Sequence, residues 1–164
     1  MTDGRPVHVV STTARMKAAP ERVYRIIADY RNGHPQILPK QFSNLCVDAG
    51  GYGAGTVIRF SMTVMGRKME ARAVVSEPQP GRVLVEKLDG AGSPVTIFTV
   101  DPGPTDQESV VTISTELTPR RGLAGLIERF MTTRMLTGIY KEELTLLAAV
   151  STAAEKQKRS DQIQ

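Results

Sequence analysis

The 164-residue sequence contains no tryptophan, one cysteine and two histidines, and aromatic residues make up only 5% of it. A single cysteine excludes an intramolecular disulfide and a thiolate zinc cluster. His8 and His34 stand far apart, and no group of His, Asp and Glu has metal-ligand spacing, so we expect no metal and no cofactor. Cys46 lies in an apolar run, where we expect a small buried side chain rather than a nucleophile.

Long hydrophobic runs are also missing. No apolar stretch approaches the ~20 residues that a membrane span requires, and Met1 to Pro6 lack the apolar core of a signal peptide. We therefore expect a cytoplasmic protein without a transmembrane segment. The net charge is only +4, from 21 basic and 17 acidic residues. Without a basic stripe interleaved with aromatic residues, we expect no nucleic-acid binding.

An alternation of apolar and polar residues with period two dominates the middle of the chain. It predicts a first strand over 7–16 and further strands at about 42–48, 55–65, 67–76, 82–89, 94–101 and 108–117. The alternation is cleanest in the third and fourth of these seven strands. The separating segments are short and turn-rich, so neighbouring strands must pair antiparallel, because a parallel crossover needs a dozen residues or more.

Helical signals flank this block of strands. Pro20 and Glu21 favour the start of a short helix that ends near Tyr30, and a further short turn is possible before Phe42. From Arg121 to about Ala154 the chain has no proline, which predicts one helix of roughly 50 Å. Its predicted buried stripe contains Leu126, Phe130, Thr133, Thr137, Tyr140, Leu144 and Leu147. The two threonines in that stripe indicate that the helix faces a space as well as a core.

The element order predicts an α+β fold with one domain over 1–154 and a polar tail over 155–164. One long helix can cover one face of a seven-stranded antiparallel sheet only if the sheet curves around it. We expect one or two short helices between strands 1 and 2. A curved sheet with a single long helix across it leaves a volume between the sheet and that helix.

Several motifs accompany this order. Residues 16–24 read Met-Lys-Ala-Ala-Pro-Glu-Arg-Val-Tyr, residues 51–56 read Gly-Tyr-Gly-Ala-Gly-Thr, and residues 77–82 read Glu-Pro-Gln-Pro-Gly-Arg. Over Val9 to Val150 the chain resembles the START-like, Bet v 1-like superfamily (SRPBCC) with the helix-grip fold, and within it the polyketide cyclase/dehydratase-type group. The resemblance implies a cavity for hydrophobic ligands such as lipids, polyketides or isoprenoids. Some members are enzymes and others are carriers, and fold alone does not choose between them.

Strand parity and the helical stripe predict the residues that line such a cavity. His34, in the irregular segment after the first helix, could act as a general acid or base, and Tyr30 is the other candidate for chemistry. Small side chains such as Ala71 and Ala73 would line a void. The full set of predicted ligand-binding residues is Ile27, Tyr30, His34, Ile58, Phe60, Met62, Met69, Ala71, Ala73, Val111, Ile113, Phe130, Thr133, Thr137 and Tyr140.

Three functions fit these features. The first is the binding of a small hydrophobic molecule between the sheet and the long helix. The alternative is a cyclase or dehydratase that uses the same cavity on a polyketide-like substrate. The third is a protein-interaction module without a ligand. We favour a binding protein over an enzyme and expect a monomer or a homodimer, because apolar residues off the main stripe of the long helix could meet a second copy.

Overall fold

The computed structural model describes residues 7–90, 92–119 and 122–161, without the side chains of residues 154, 155, 158 and 159. The polar N-terminal segment 1–6, the predicted helix start at Arg121 and the last three residues of the predicted tail lie outside the described residues. The elements are β1 (His8–Met16), α1 (Pro20–Ala28), a 3₁₀ helix (His34–Gln36), β2 (Phe42–Ala49), β3 (Val57–Val64), β4 (Arg67–Gln79), β5 (Val83–Leu88), β6 (Val95–Pro102), β7 (Ser109–Leu117) and α2 (Gly122–Asp161).

The seven strands form one curved antiparallel sheet in the order β1-β7-β6-β5-β4-β3-β2. The chain crosses from one edge to the other through α1 and then returns to β1 by successive antiparallel connections. The β3–β4 turn consists of Met65 and Gly66, whose φ angles are 49° and 75°. Two positive φ angles are typical of the two-residue turns that match strand twist. The predicted α+β helix-grip architecture is therefore confirmed.

The concave face of the sheet carries the core. Alternate residues of most strands are buried or half-buried there, as the period-two pattern predicts, whereas the edge strand β2 has no fully buried residue. The helix α1 packs over β6 and β7. Val23 and Ile27 of α1 are fully buried. The buried apolar residues of the strands are Val10, Met16, Ile58, Phe60, Ala73, Val75, Leu84, Phe98, Val100, Val111 and Ile113.

The long helix α2 is buried mainly from Ile139 to Ser151. Tyr140, Leu144 and Leu147 are at most 4% exposed, whereas Leu126 and Phe130 are 58% and 68% exposed. The predicted stripe is therefore wrong in the first half of the helix. Apolar residues occupy several faces of that half, so periodicity alone does not determine which face turns toward the sheet.

Two further expectations differ from the structure. Cys46 is exposed, not buried. It lies in the edge strand β2, whose pairing register shifts between Ser43 and Cys46, and such an irregularity changes the direction in which side chains point. The helix α2 also continues to Asp161, into the segment 155–164 that we expected to be a polar tail. Within the described part of the chain, no helix is both long and apolar enough to span a membrane.

Candidate functional site

A cavity of about 380 Å³ lies between the concave face of the sheet and α2. Its rim includes Met69 and Glu128, which are exposed, so the cavity opens to solvent on that side. The volume is within the range of small-molecule sites. The wall is mostly apolar and includes Phe42, Leu45, Ile58, Phe60, Met62, Val64, Leu88, Phe98, Leu117, Met135 and Leu136.

The buried end of the cavity contains a group formed by Tyr30, His34 and Glu86. The Tyr30 hydroxyl donates a hydrogen bond of 2.5 Å to Glu86 Oε1, and His34 Nε2 lies 3.6 Å from the same oxygen. The Tyr30 and His34 rings stack with their centroids 4.5 Å apart, and Phe98 packs edge-on against His34. Burial, followed by the charge of Glu86, raises the pKa of Tyr30 well above its ordinary value, so this hydroxyl keeps its proton.

The hydrogen bonds of His34 determine which ring nitrogen is available for chemistry. Nδ1 lies 2.7 Å from the carbonyl oxygen of Ile27. Because a carbonyl oxygen can only accept, Nδ1 carries a hydrogen, and Nε2 has a free lone pair when the ring is neutral. Nε2 lies 3.6 Å from Glu86 Oε1, too far for a hydrogen bond between them, so Nε2 can accept a hydrogen bond from a ligand in the cavity.

Glu143 of α2 is a second acidic residue in the cavity wall. It is only 4% exposed, and among the described residues its carboxyl group has no hydrogen-bond or ion-pair partner. Burial raises the pKa of Glu143 well above 4.5, and the negative charge of Glu86 raises it further. An unpaired carboxylate at this depth would cost several kcal/mol. Both effects favour the protonated form of Glu143, and in that form the group can donate a hydrogen bond.

A hydrogen-bonded group of three hydroxyls, from Thr96, Thr115 and Tyr140, also belongs to the polar part of the wall. The Thr96 and Thr115 Oγ1 atoms lie 2.8 Å apart, and Thr115 also hydrogen-bonds the Tyr140 hydroxyl. Burial raises the pKa of Tyr140 to about 12, so it remains uncharged at neutral pH. The cavity thus combines an apolar wall with neutral hydroxyls, one histidine and two buried or half-buried acids.

Residues 7–152 match the family described as "Polyketide cyclase / dehydrase and lipid transport". The chain belongs to this family. The match covers most of the sequence, and it confirms the resemblance to the polyketide cyclase/dehydratase-type group. A comparison with curated proteins found none that matches.

Solved structures share the fold of this family member. The KanY protein (ms6282) is similar over 91% of this chain and 99% of its own, with a TM-score of 0.75 and 29% identity. A START superfamily protein from Mycobacterium smegmatis gives a TM-score of 0.69 at 16% identity, covering 90% of this chain and 99% of its own. The Zhui aromatase/cyclase from Streptomyces sp. R1128 gives 0.73 at 14% identity, covering 90% and 94%. At such identities the last two show the fold alone.

Several predicted ligand-binding residues line the cavity of this family member, namely His34, Ile58, Phe60, Met62, Met69 and Tyr140. Others are buried without reaching the cavity wall: Ile27, Tyr30, Ala73, Val111 and Ile113. Ala71 is half-buried and also lies outside the wall. Because α1 packs directly on β6 and β7, that part of the concave face is filled and encloses no space. Tyr30 acts on the cavity only through Glu86 and His34.

The predicted residues Phe130, Thr133 and Thr137 of α2 do not line the cavity. Phe130 borders a separate hollow beside Met65, and the Thr133 hydroxyl lies 2.8 Å from His8 Nε2. Thr137 is half-buried and also lies outside the cavity wall. The helix instead presents Thr132, Met135 and Leu136 to the cavity.

Sequence reasoning missed the two acids. Glu86 alternates with Leu84 and Leu88 in β5, so strand parity places it on the covered face. In α2, Glu143 lies three residues after Tyr140 and four residues before Leu147. This spacing places Glu143 on the same buried face of the helix. An acidic residue at an apolar position of a repeating pattern was the signal that could have found both.

Proposed function

We propose that the protein binds a small, largely apolar molecule of the lipid, polyketide or isoprenoid kind in the cavity between the sheet and α2. The observation that carries this proposal is a space of about 380 Å³ with an apolar wall and buried polar groups at one end. Close-packed protein interiors contain few voids larger than a water molecule. A space of this size therefore favours a ligand-binding site over a packing defect in the core.

Apolar contact would supply most of the affinity, at about 25 cal/mol per Å² of buried apolar surface before ordering costs. The polar groups would determine the orientation of the ligand. His34, Tyr140 and Thr96 can each exchange a hydrogen bond with a polar group on the ligand, and they share one end of the cavity. A ligand with a single polar end would therefore enter with that end foremost.

Binding of N-phenyl-1-naphthylamine, an uncharged dye that fluoresces in apolar surroundings, tests the proposal. We expect a saturable rise in fluorescence with one dye per chain and a Kd in the micromolar range. Mass spectrometry of ligand extracted from the purified protein provides an independent measurement. If the dye shows no saturable binding up to its solubility limit, the protein has no accessible apolar site and the proposal fails.

A second candidate is a cyclase or dehydratase that acts on a polyketide-like substrate, and the arrangement of His34, Glu86 and Glu143 favours it. Nε2 of His34 could remove a proton next to a substrate carbonyl, while protonated Glu143 could donate one to a carbonyl or departing hydroxyl. Such a reaction needs one proton acceptor and one proton donor near neutral pH. Burial favours the protonated form of Glu143, which would be the donor.

Replacing His34 with alanine separates the two candidates. If the protein is an enzyme, turnover of a linear poly-β-ketone thioester falls by at least about 100-fold, because the proton acceptor is lost. The dye affinity changes only a few-fold, since one polar side chain contributes little to apolar contact. Absorbance of the aromatic product measures turnover. Undiminished turnover in the variant would remove His34 from the mechanism.

The remaining expectations stay predictions. They are the single domain over 1–154, the cytoplasmic location, the absence of nucleic-acid binding and the monomeric or homodimeric state. The third functional alternative, an interaction module without a ligand, would gain support only from the absence of dye binding.

A further inference from the structure

The charged residues of the cavity wall are predominantly acidic. Glu86, Glu128 and Glu143 line it, and no lysine or arginine is found among its described lining residues. Among the lining residues that the structure describes, His34 is the only basic side chain. Electrostatic complementarity therefore disfavours an anionic ligand at this wall and favours a cationic one.

Glu143 lacks the partner that a buried acid ordinarily has. Its side chain is 4% exposed and faces the cavity, and the described residues place no donor or cation against its carboxyl group. Buried polar groups in native structures are almost always hydrogen-bonded, so the carboxyl group of Glu143 requires a partner inside the cavity, either water or a ligand.

Glu86 also has a free oxygen. The Tyr30 hydroxyl and His34 Nε2 both approach Oε1, and no partner for Oε2 is found in the part of the chain that the structure describes. Glu86 and Glu143 are near enough that the charge of Glu86 disfavours ionisation of Glu143. A single bound cation would relieve this repulsion and satisfy both carboxyl groups.

We propose that the polar end of the ligand is a protonated amine, held between Glu86 and Glu143 with its apolar part along the cavity. This inference rests on the proposed binding function and specifies the ligand class. An ammonium group has three N–H donors and no acceptor. The two carboxylates can accept two of them, and a hydroxyl of Thr96 or Tyr140 can accept the third. A ligand carbonyl would use only the proton on Glu143 and leave Glu86 unmatched.

Binding of an amine would change the protonation of the cavity. Glu86, Tyr30 and Tyr140 are close enough to interact electrostatically with Glu143, and His34 and Glu128 also line the cavity. Burial, followed by the charge of Glu86, raises the pKa of Glu143 in the empty protein. A cation beside Glu143 favours its ionised form, so amine binding releases a proton. The affinity for the amine therefore rises by up to about tenfold per pH unit while Glu143 is still protonated in the free protein. An uncharged ligand would show no such dependence.

Isothermal titration calorimetry with three ligands of equal chain length tests the inference. We expect decylamine to bind at least tenfold more tightly than 1-decanol at pH 7, and decanoate to bind more weakly than either. Titrations in two buffers of different ionisation enthalpy should show about one proton released with decylamine and none with 1-decanol.

Two matched variants distinguish the site from general charge effects. Glu143→Gln keeps the shape of the side chain, so 1-decanol still binds, but the preference for decylamine and the proton release are lost. Glu142→Gln makes the same substitution at the adjacent position, which lies outside the cavity wall. This variant should keep both the preference for decylamine and the proton release. A circular dichroism melting curve confirms that each variant is folded.

The outcomes separate this inference from the proposed function. If 1-decanol or decanoate binds as tightly as decylamine, or if no proton is released, the amine assignment is overturned while the apolar cavity stands. If Glu143→Gln keeps the amine preference, the amine is not held by Glu143 and the assignment is likewise overturned. If none of the three ligands binds, the proposed function itself fails, and the inference fails with it.

Discussion

The variant Glu143→Gln should be more stable than the natural protein, and its advantage should grow by about 1.4 kcal/mol for each pH unit above 4.5. Burial raises the pKa of Glu143 well above its ordinary value of 4.5, and Glu86 adds to the effect. Above pH 4.5 the unfolded chain releases this proton while the folded chain retains it. The natural protein therefore loses stability as the pH rises toward the folded pKa. Glutamine does not titrate, so the variant avoids this loss.

Below pH 4.5 the two proteins should have nearly the same stability, because Glu143 is then protonated in both the folded and the unfolded state. Urea unfolding at pH 4, 5 and 6, followed by circular dichroism, measures the difference. Glu142→Gln serves as the control, since Glu142 is only half-buried and lies outside the cavity wall. Parallel stability curves for Glu143→Gln and the natural protein would mean that the Glu143 carboxyl group is solvated or paired.

The variant Leu136→Trp should abolish dye binding while the protein remains folded. Leu136 is half-buried in α2 and lines the cavity. A larger side chain at this position can enter the empty volume, so it removes the space that a ligand would fill. We expect at least a 100-fold loss of affinity for N-phenyl-1-naphthylamine, with a change in unfolding free energy below about 1.5 kcal/mol.

Two other substitutions show what Leu136→Trp would establish. Ala149→Trp places the same side chain on the exposed face of α2 and should leave dye binding intact. Ala73→Phe enlarges a fully buried residue outside the cavity wall, and overpacking there should cost about 1–3 kcal/mol. Unchanged dye affinity in Leu136→Trp would show that the dye binds elsewhere, for example at the exposed apolar residues Leu126 and Phe130.

The strands could be predicted because their signal is local. In a strand the side chains alternate between two faces, so Ile58 and Phe60 appear in the sequence as every second residue. Short turns, such as the one at Met65 and Gly66, require antiparallel neighbours wherever they occur. These constraints act between residues close in sequence, and they hold whatever the helix above the sheet does.

The face of α2 that turns toward the sheet could not be predicted in the same way. Its first half carries apolar residues on several faces, and both Phe130 and Met135 fit a helical stripe. Only contact with β1, α1 and the 3₁₀ helix selects one face, because these elements are distant in sequence. Packing turned Met135 and Leu136 toward the cavity and left Phe130 exposed.

By itself the sequence determined the order of elements, the antiparallel sheet and the family, because each follows from residue patterns along the chain. Tertiary structure alone decided where the sheet and helix touch and where they leave a space. It also brought Glu86 of β5 and Glu143 of α2 to one cavity, although they are 57 positions apart in the sequence. Burial and the charge of Glu86, which act on Glu143 only once the chain is folded, then raised the pKa of Glu143 well above its ordinary value.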